Sequence, residues 1–155
     1  MKKIFMLKKA VAAIAILALI FSMSACGGGS ENEAGDADTI YLGVNYELTG
    51  DNPIVGESAG RGVDMALEEI NAAGGVTIGD KTYKLAVKKL DNEFKAESAA
   101  IVAQQFADDD SIVAMIGPND SAMCLGCQSV VETEGLPTIT PSATQVDITS
   151  GNYFF

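Results

Sequence analysis

Cys124 and Cys127, spaced as Cys-x-x-Cys, are the side chains whose types and spacing most directly suggest chemistry. A pair like this at the start of a helix can carry out thiol–disulfide exchange, because the helix dipole lowers the thiol pKa. Against that use, Cys124, Cys127 and Val131 recur at helical spacing and would share one buried face. We therefore predict that both cysteines pack in the core. The alternatives are an adventitious disulfide and a redox site. A zinc site would need two more ligands from carboxylates.

The chain contains no histidine and no tryptophan. Without histidine there is no imidazole to activate a nucleophile, act as a general base or bind a metal. Phosphate-binding glycine motifs are missing as well, since Gly60-Arg61-Gly62 lacks the third glycine and lies inside a helical pattern. The composition therefore argues against an enzyme, and we predict neither a cofactor nor a bound metal.

Ser121 and Thr144 form a second candidate pair, and their hydroxyl groups are neutral hydrogen-bond donors. Whether these two hydroxyls can act on one ligand depends on the secondary-structure elements that position them. Along the chain, predicted strands alternate with predicted helices. Strands are predicted at residues 40–46, 76–78, 82–90, 111–116, 136–140 and 152–155, and helices at residues 56–73, 96–107 and 121–134. This succession predicts an α/β fold, a doubly wound parallel sheet with flanking helices.

Ligands of such sheets bind beyond the carboxyl ends of the strands. Three segments rich in small and polar residues fall at that edge, at residues 46–56, 117–121 and 141–144. A helix beginning at Ser121 would offer backbone N–H groups and a positive dipole end to a carboxylate, and Thr144 would add a hydroxyl. The alternative is that Asp120 or Ser121 only caps the helix and the third segment is a connector.

The first 26 residues carry a targeting signal. Lysines at positions 2, 3, 8 and 9 precede an apolar run over residues 10–21, which is shorter than the ~20 residues of a membrane-spanning helix. Small residues then lead to Cys26, and this arrangement resembles the lipobox of bacterial lipoproteins, in which the cysteine is lipidated. We expect a signal peptide over residues 1–25 and a lipid-anchored flexible tether over residues 26–38.

Net charge sets the class of partner. The chain carries a formal charge of −11, and loss of the signal peptide removes four lysines and no acidic residue. An acidic surface of this kind repels nucleic acid and anionic lipid headgroups. We therefore expect no nucleic-acid partner, and a lipid at Cys26 would supply the membrane attachment that electrostatics cannot.

Four segments resemble the extracellular solute-binding proteins of ABC importers, specifically the Leu/Ile/Val-binding type of the periplasmic-binding-protein fold. They occupy residues 48–50 (LTG), 62–75 (GVDMALEEINAAGG), 116–118 (IGP) and 134–144 (EGLPTITPSAT). The resemblance implies a two-lobed clamp that captures an amino acid, branched-chain or related, and delivers it to a membrane permease. Residues 39–155 would form its N-terminal lobe, incomplete at the C-terminus.

The resemblance also assigns the site. Ser121 matches the serine that holds the ligand carboxylate, while Ser142, Ala143 and Thr144 match the loop that contacts the ammonium and carboxylate through backbone groups and a threonine hydroxyl.

Val55 stands where relatives often carry an aromatic residue. A disulfide of some relatives is absent, because residues 91–95 contain no cysteine. A ligand-sensing lobe of a receptor remains an alternative to transport. We expect the protein on the extracellular or periplasmic face of the cell membrane.

Overall fold

A central sheet of five strands organises residues 38–155, the part of the chain that the computed structural model describes. The strands are β1 (Thr39–Tyr46), β2 (Val76–Ile78), β3 (Lys81–Asp91), β4 (Ile112–Ile116) and β5 (Thr138–Ile139). Their spatial order is β2-β3-β1-β4-β5, and only β2 runs antiparallel, as the outer half of a hairpin with β3. The predicted signal peptide, Cys26 and nearly all of the predicted tether lie outside the described residues.

Three α-helices cover the two faces of this sheet. They are α1 (Pro53–Ala72), α2 (Ala96–Ala107) and α3 (Ser121–Glu134). Side chains alternate between the faces along each strand, so Leu42 and Ile116 line a small apolar cleft with α1, whereas Tyr41 and Met115 pack with the core formed by α2 and α3. The predicted doubly wound α/β fold is confirmed.

The core lies between the sheet and the α2–α3 pair. Its buried members on these helices include Val102, Phe106, Cys127 and Val131. At Gly43 in β1, a Cβ atom would lie 2.6 Å from the ring of Phe106, so only glycine permits this close approach of strand and helix. The absence of a side chain in β1 thus lets α2 pack directly against the sheet.

The larger differences between the predicted and observed element ends lie at α1, at β5 and at the predicted last strand. Helix α1 begins at Pro53 and not at residue 56, because proline has no N–H to satisfy and its fixed φ suits the first helical turn. Strand β5 has two residues and not five, because Pro137, just before it, cannot donate to the strand ladder. The predicted last strand reduces to a single parallel bridge between Thr138 and Phe154.

Candidate functional site

Three loops leave the carboxyl ends of neighbouring strands and meet at one edge of the sheet. The β1 loop (residues 47–52) follows β1, the α3 loop (residues 117–120) follows β4, and the β5 loop (residues 140–145) follows β5. They correspond to the three polar segments that the sequence analysis assigned to this edge, and that placement is confirmed.

Hydrogen bonds join the α3 loop to the β5 loop residue by residue. The Thr140 hydroxyl donates to Pro118 O at 2.7 Å, and the Ser142 hydroxyl donates to Asn119 O at 2.9 Å. The backbone amide of Ala143 donates to Thr140 Oγ1 at 3.2 Å, which folds the β5 loop on itself. The hydroxyl of Ser142 and the amide of Ala143 therefore hold the loop in place, so a ligand would meet these residues through other backbone atoms.

Ser121 and Thr144, the two predicted donors, are in direct contact. Ser121 Oγ accepts from the backbone amides of Thr144 at 3.2 Å and Gln145 at 3.3 Å. An oxygen that accepts two hydrogen bonds still carries its own proton, so the Ser121 hydroxyl retains one donor. Thr144 is exposed, and its hydroxyl has no hydrogen-bond partner within residues 38–155. Two residues with hydroxyl donors are thus hydrogen-bonded to each other, through the Thr144 backbone amide, at the start of α3.

Asp120 is the residue that caps α3. Its carboxylate accepts from the backbone amide of Ala122 at 2.8 Å, so the capping interpretation is correct for Asp120 and wrong for Ser121. This bond uses one of the free N–H groups that a ligand carboxylate could have engaged. It also places a negative charge at the helix start, where it opposes a second anion.

Asp91 organises the neighbouring β1 loop and was not recognised in the sequence. Its carboxylate accepts from the amide of Leu48 at 2.9 Å, the amide of Thr49 at 3.2 Å, the Thr49 hydroxyl at 2.5 Å and the amide of Glu93 at 2.8 Å. Burial tends to raise the pKa of Asp91, but these hydrogen bonds outweigh it and hold the pKa below its usual value. Its position at the end of a predicted strand, at the edge where ligands bind, could have identified Asp91 in the sequence.

Glu47 is a second residue that the sequence analysis missed. It follows the last residue of β1, and its side chain is 1% exposed. Asn119 Nδ2 donates to Glu47 Oε1 at 3.1 Å, which connects the β1 loop to the α3 loop. Burial, and then the charge of Glu47, raise the pKa of Tyr46 to about 12. All three loops are therefore linked by hydrogen bonds.

Cys124 and Cys127 are free thiols in the core, each fully buried. Cys124 Sγ donates to Pro118 O at 3.3 Å, and Cys127 Sγ donates to Cys124 O at 3.4 Å. Burial raises the pKa of Cys124 to about 11 and that of Cys127 to about 12, the direction opposite to that of a reactive thiol. The packing interpretation is confirmed, and the burial of both thiols opposes a redox site.

Among residues 38–155, no group of three or more His, Cys, Asp or Glu side chains is arranged to hold a metal ion. None of the helices in that range has the length and apolar character needed to cross a membrane.

Comparison with known proteins identifies the family. Residues 39–155 match the family described as periplasmic binding protein. The chain belongs to this family. A relative in Pseudomonas aeruginosa, the leucine-, isoleucine-, valine-, threonine- and alanine-binding protein, is 32% identical over 135 residues, which are 87% of this chain and 34% of the relative. A second relative in that organism, an amino acid binding protein, is 32% identical over 110 residues, 71% of this chain and 28% of its own length.

Solved structures of periplasmic binding proteins share the fold. The branched-chain amino acid transporter substrate-binding protein LivJ from Streptococcus pneumoniae, determined in complex with isoleucine, superposes with a TM-score of 0.68 at 33% identity. The match covers 76% of this chain and 33% of LivJ. The chain thus spans about a third of the length of the family members that it matches.

Proposed function

We propose that this lobe belongs to the substrate-binding component of an ABC transporter, which captures amino acids outside the cell and carries out no chemical reaction. The observation that carries the proposal is the contact between Ser121 and Thr144 at the carboxyl edge of a sheet in the periplasmic-binding-protein family. Relatives named for leucine, isoleucine and valine binding support branched-chain or related amino acids as ligands.

The chemistry of the edge suits the two ends of a zwitterion. The Ser121 hydroxyl would donate to the α-carboxylate, helped by the positive end of the α3 dipole. Thr144, with backbone groups of Ser142 and Ala143, would contact the carboxylate and the ammonium group. Hydrogen bonds to charged groups contribute roughly 1.5–3 kcal/mol each, so two of them account for a large part of a micromolar affinity.

Cys26 would hold the protein at the cell membrane through a lipid, on the extracellular or periplasmic face. The partner there would be a membrane permease that receives the amino acid. An anchor of this kind keeps the binding protein near its permease although the acidic chain is repelled by anionic headgroups. The intact mass of the native protein, extracted from membranes in detergent, tests this directly. A measured mass that corresponds to a chain starting before Cys26, with no added lipid, would contradict the anchor.

Calorimetric titration of the native protein with L-leucine tests the site. We expect Ser121→Ala to weaken leucine binding at least tenfold, because one charge-assisted hydrogen bond is lost. Ser129→Ala is the matched control, because Ser129 is exposed and lies further along the same helix. We expect this variant to bind leucine as tightly as the wild type does. Equal affinities for Ser121→Ala and Ser129→Ala would refute the assignment of Ser121. A native protein that binds no amino acid would refute the function.

A further inference from the structure

Glu47 is a buried carboxylate that receives little support from the rest of the lobe. Its side chain is 1% exposed, and its one hydrogen bond within residues 38–155 comes from Asn119 Nδ2 to Oε1. Oε2 has no hydrogen-bond partner among these residues. None of the four ion pairs of the described lobe includes Glu47. A buried charge is costly when it is so poorly compensated, so packing alone does not explain a carboxylate here.

Asn119 connects Glu47 to the proposed site. It is 5% exposed and lies two residues before Ser121. Its side chain donates to Glu47, and its carbonyl oxygen accepts from the Ser142 hydroxyl at 2.9 Å. One buried residue therefore links the end of β1 to the β5 loop, and the α3 loop that carries it leads directly into α3.

The backbone of Glu47 is held firmly on its other side. A Cβ atom at Gly56, in the first turn of α1, would lie 2.0 Å from Glu47 O. Glycine at position 56 therefore lets α1 close on this residue. Because β1 and α1 hold the backbone of Glu47 and its side chain is buried, the carboxylate reaches Asn119 from a defined position.

We propose that Glu47 is a positioning residue for the ligand site: its Oε1 holds Asn119, and Asn119 sets the α3 and β5 loops so that the Ser121 hydroxyl faces the ligand. This role rests on the proposed function for its purpose, although the positioning itself precedes ligand binding. Glu47 does not touch the ligand. The acceptor oxygen is what matters, and the negative charge is secondary.

Hydrogen exchange in the ligand-free native protein tests the positioning without reference to any ligand. The Thr144 amide reports on the two loops because it donates to Ser121 Oγ. We expect Glu47→Leu to accelerate its exchange about tenfold, as for a local opening, while Glu47→Gln stays within threefold of the wild type because its amide oxygen can still accept from Asn119. Val131→Ala, which creates a cavity under the last turn of α3 and away from the loops, is the control for general destabilisation and should not change the rate selectively.

Two results would overturn the proposal. One is a Thr144 exchange rate in Glu47→Leu that matches the wild type or the Val131→Ala control. The other is an equal acceleration in Glu47→Gln and Glu47→Leu, which would assign the effect to charge and not to the acceptor.

Titration with L-leucine then connects positioning to binding. Glu47→Leu should bind leucine about tenfold more weakly and Glu47→Gln less than threefold more weakly. A wild-type protein that fails to bind any amino acid contradicts the proposed function only, since the exchange rates still decide the role of Glu47. Direct contact between the Glu47 carboxylate and the ligand would appear as a loss of binding in Glu47→Gln as large as in Glu47→Leu, although Thr144 exchange in Glu47→Gln stays near wild type, and would replace the positioning role.

Discussion

The Asp91 carboxylate accepts the hydroxyl of Thr49 at 2.5 Å and thereby ties the end of β3 to the β1 loop. The two residues lie 42 positions apart in the sequence, and two backbone amides of the same loop reinforce the contact. A single side chain thus determines how one of the three loops at the site leaves its strand.

Asp91→Asn should destabilise the lobe by about 1–2 kcal/mol, because an amide oxygen accepts fewer and weaker hydrogen bonds than a carboxylate. Urea denaturation of wild type and variant measures the difference in the free energy of unfolding. Asp110→Asn is the control, since Asp110 is exposed and makes no such contacts. Equal losses in the two variants would show that the Asp91 network contributes nothing beyond net charge.

Stability at acid pH should depend on Asp109. Hydrogen bonds from Lys88 and Ser111 lower the pKa of this carboxyl to about 2. A carboxyl whose pKa is lower in the folded state stabilises the fold above its unfolded value of about 3.9, and that contribution disappears as pH falls from about 4 to about 2. Asp109→Asn should therefore flatten the pH dependence of the unfolding free energy in this window. An unchanged slope in the variant would contradict the assignment.

Cys124 and Cys127 should resist alkylation in the folded protein. Their pKa values, raised to about 11 and 12 by burial, leave almost no thiolate at pH 8. Mass spectrometry after iodoacetamide treatment should show labelling of both only in urea, whereas an introduced Ser129→Cys thiol should react under native conditions. Rapid native labelling of either core cysteine would reopen the redox alternative.

Asp120→Asn should strengthen leucine binding by about twofold to fivefold at low ionic strength. Asparagine also caps helices well, so the variant removes the charge beside the proposed carboxylate site and keeps the cap. Titrations at low and high salt measure the gain, which screening should diminish. Unaltered or weaker binding at low salt would place the ligand carboxylate away from the start of α3.

Local patterns accounted for most of the fold. Helices α2 and α3 have the predicted bounds, because apolar residues at helical spacing mark both and Gly135 ends the second. Strand β5 was shortened by Pro137, and the bond from the Thr140 hydroxyl to Pro118 O is a tertiary contact that no local pattern records. Parallel topology alone was sufficient to bring Ser121 and Thr144 to the same edge.

The parts of the site that were not predicted are contacts between residues far apart in the sequence. Glu47 and Asn119 lie 72 residues apart, and Asp91 reaches Leu48 across 43. Each is an ordinary acidic or amide residue at a strand end, so the sequence alone does not reveal which partner it chooses. The choice between Asp120 and Ser121 as the cap was likewise open, because both residue types are good caps and only the backbone geometry separates them.

The three bonds from Thr140, Ser142 and Thr144 to the α3 loop and Ser121 also bear on the energetics of the proposed solute binding. They order both loops when the protein folds, so an arriving solute does not have to supply the conformational entropy of ordering them. A preorganised surface of this kind favours rapid encounter, and little of the binding energy is spent on rearranging this lobe. The selectivity among solutes would then come from the fixed spacing of donors and not from adaptation of the loops.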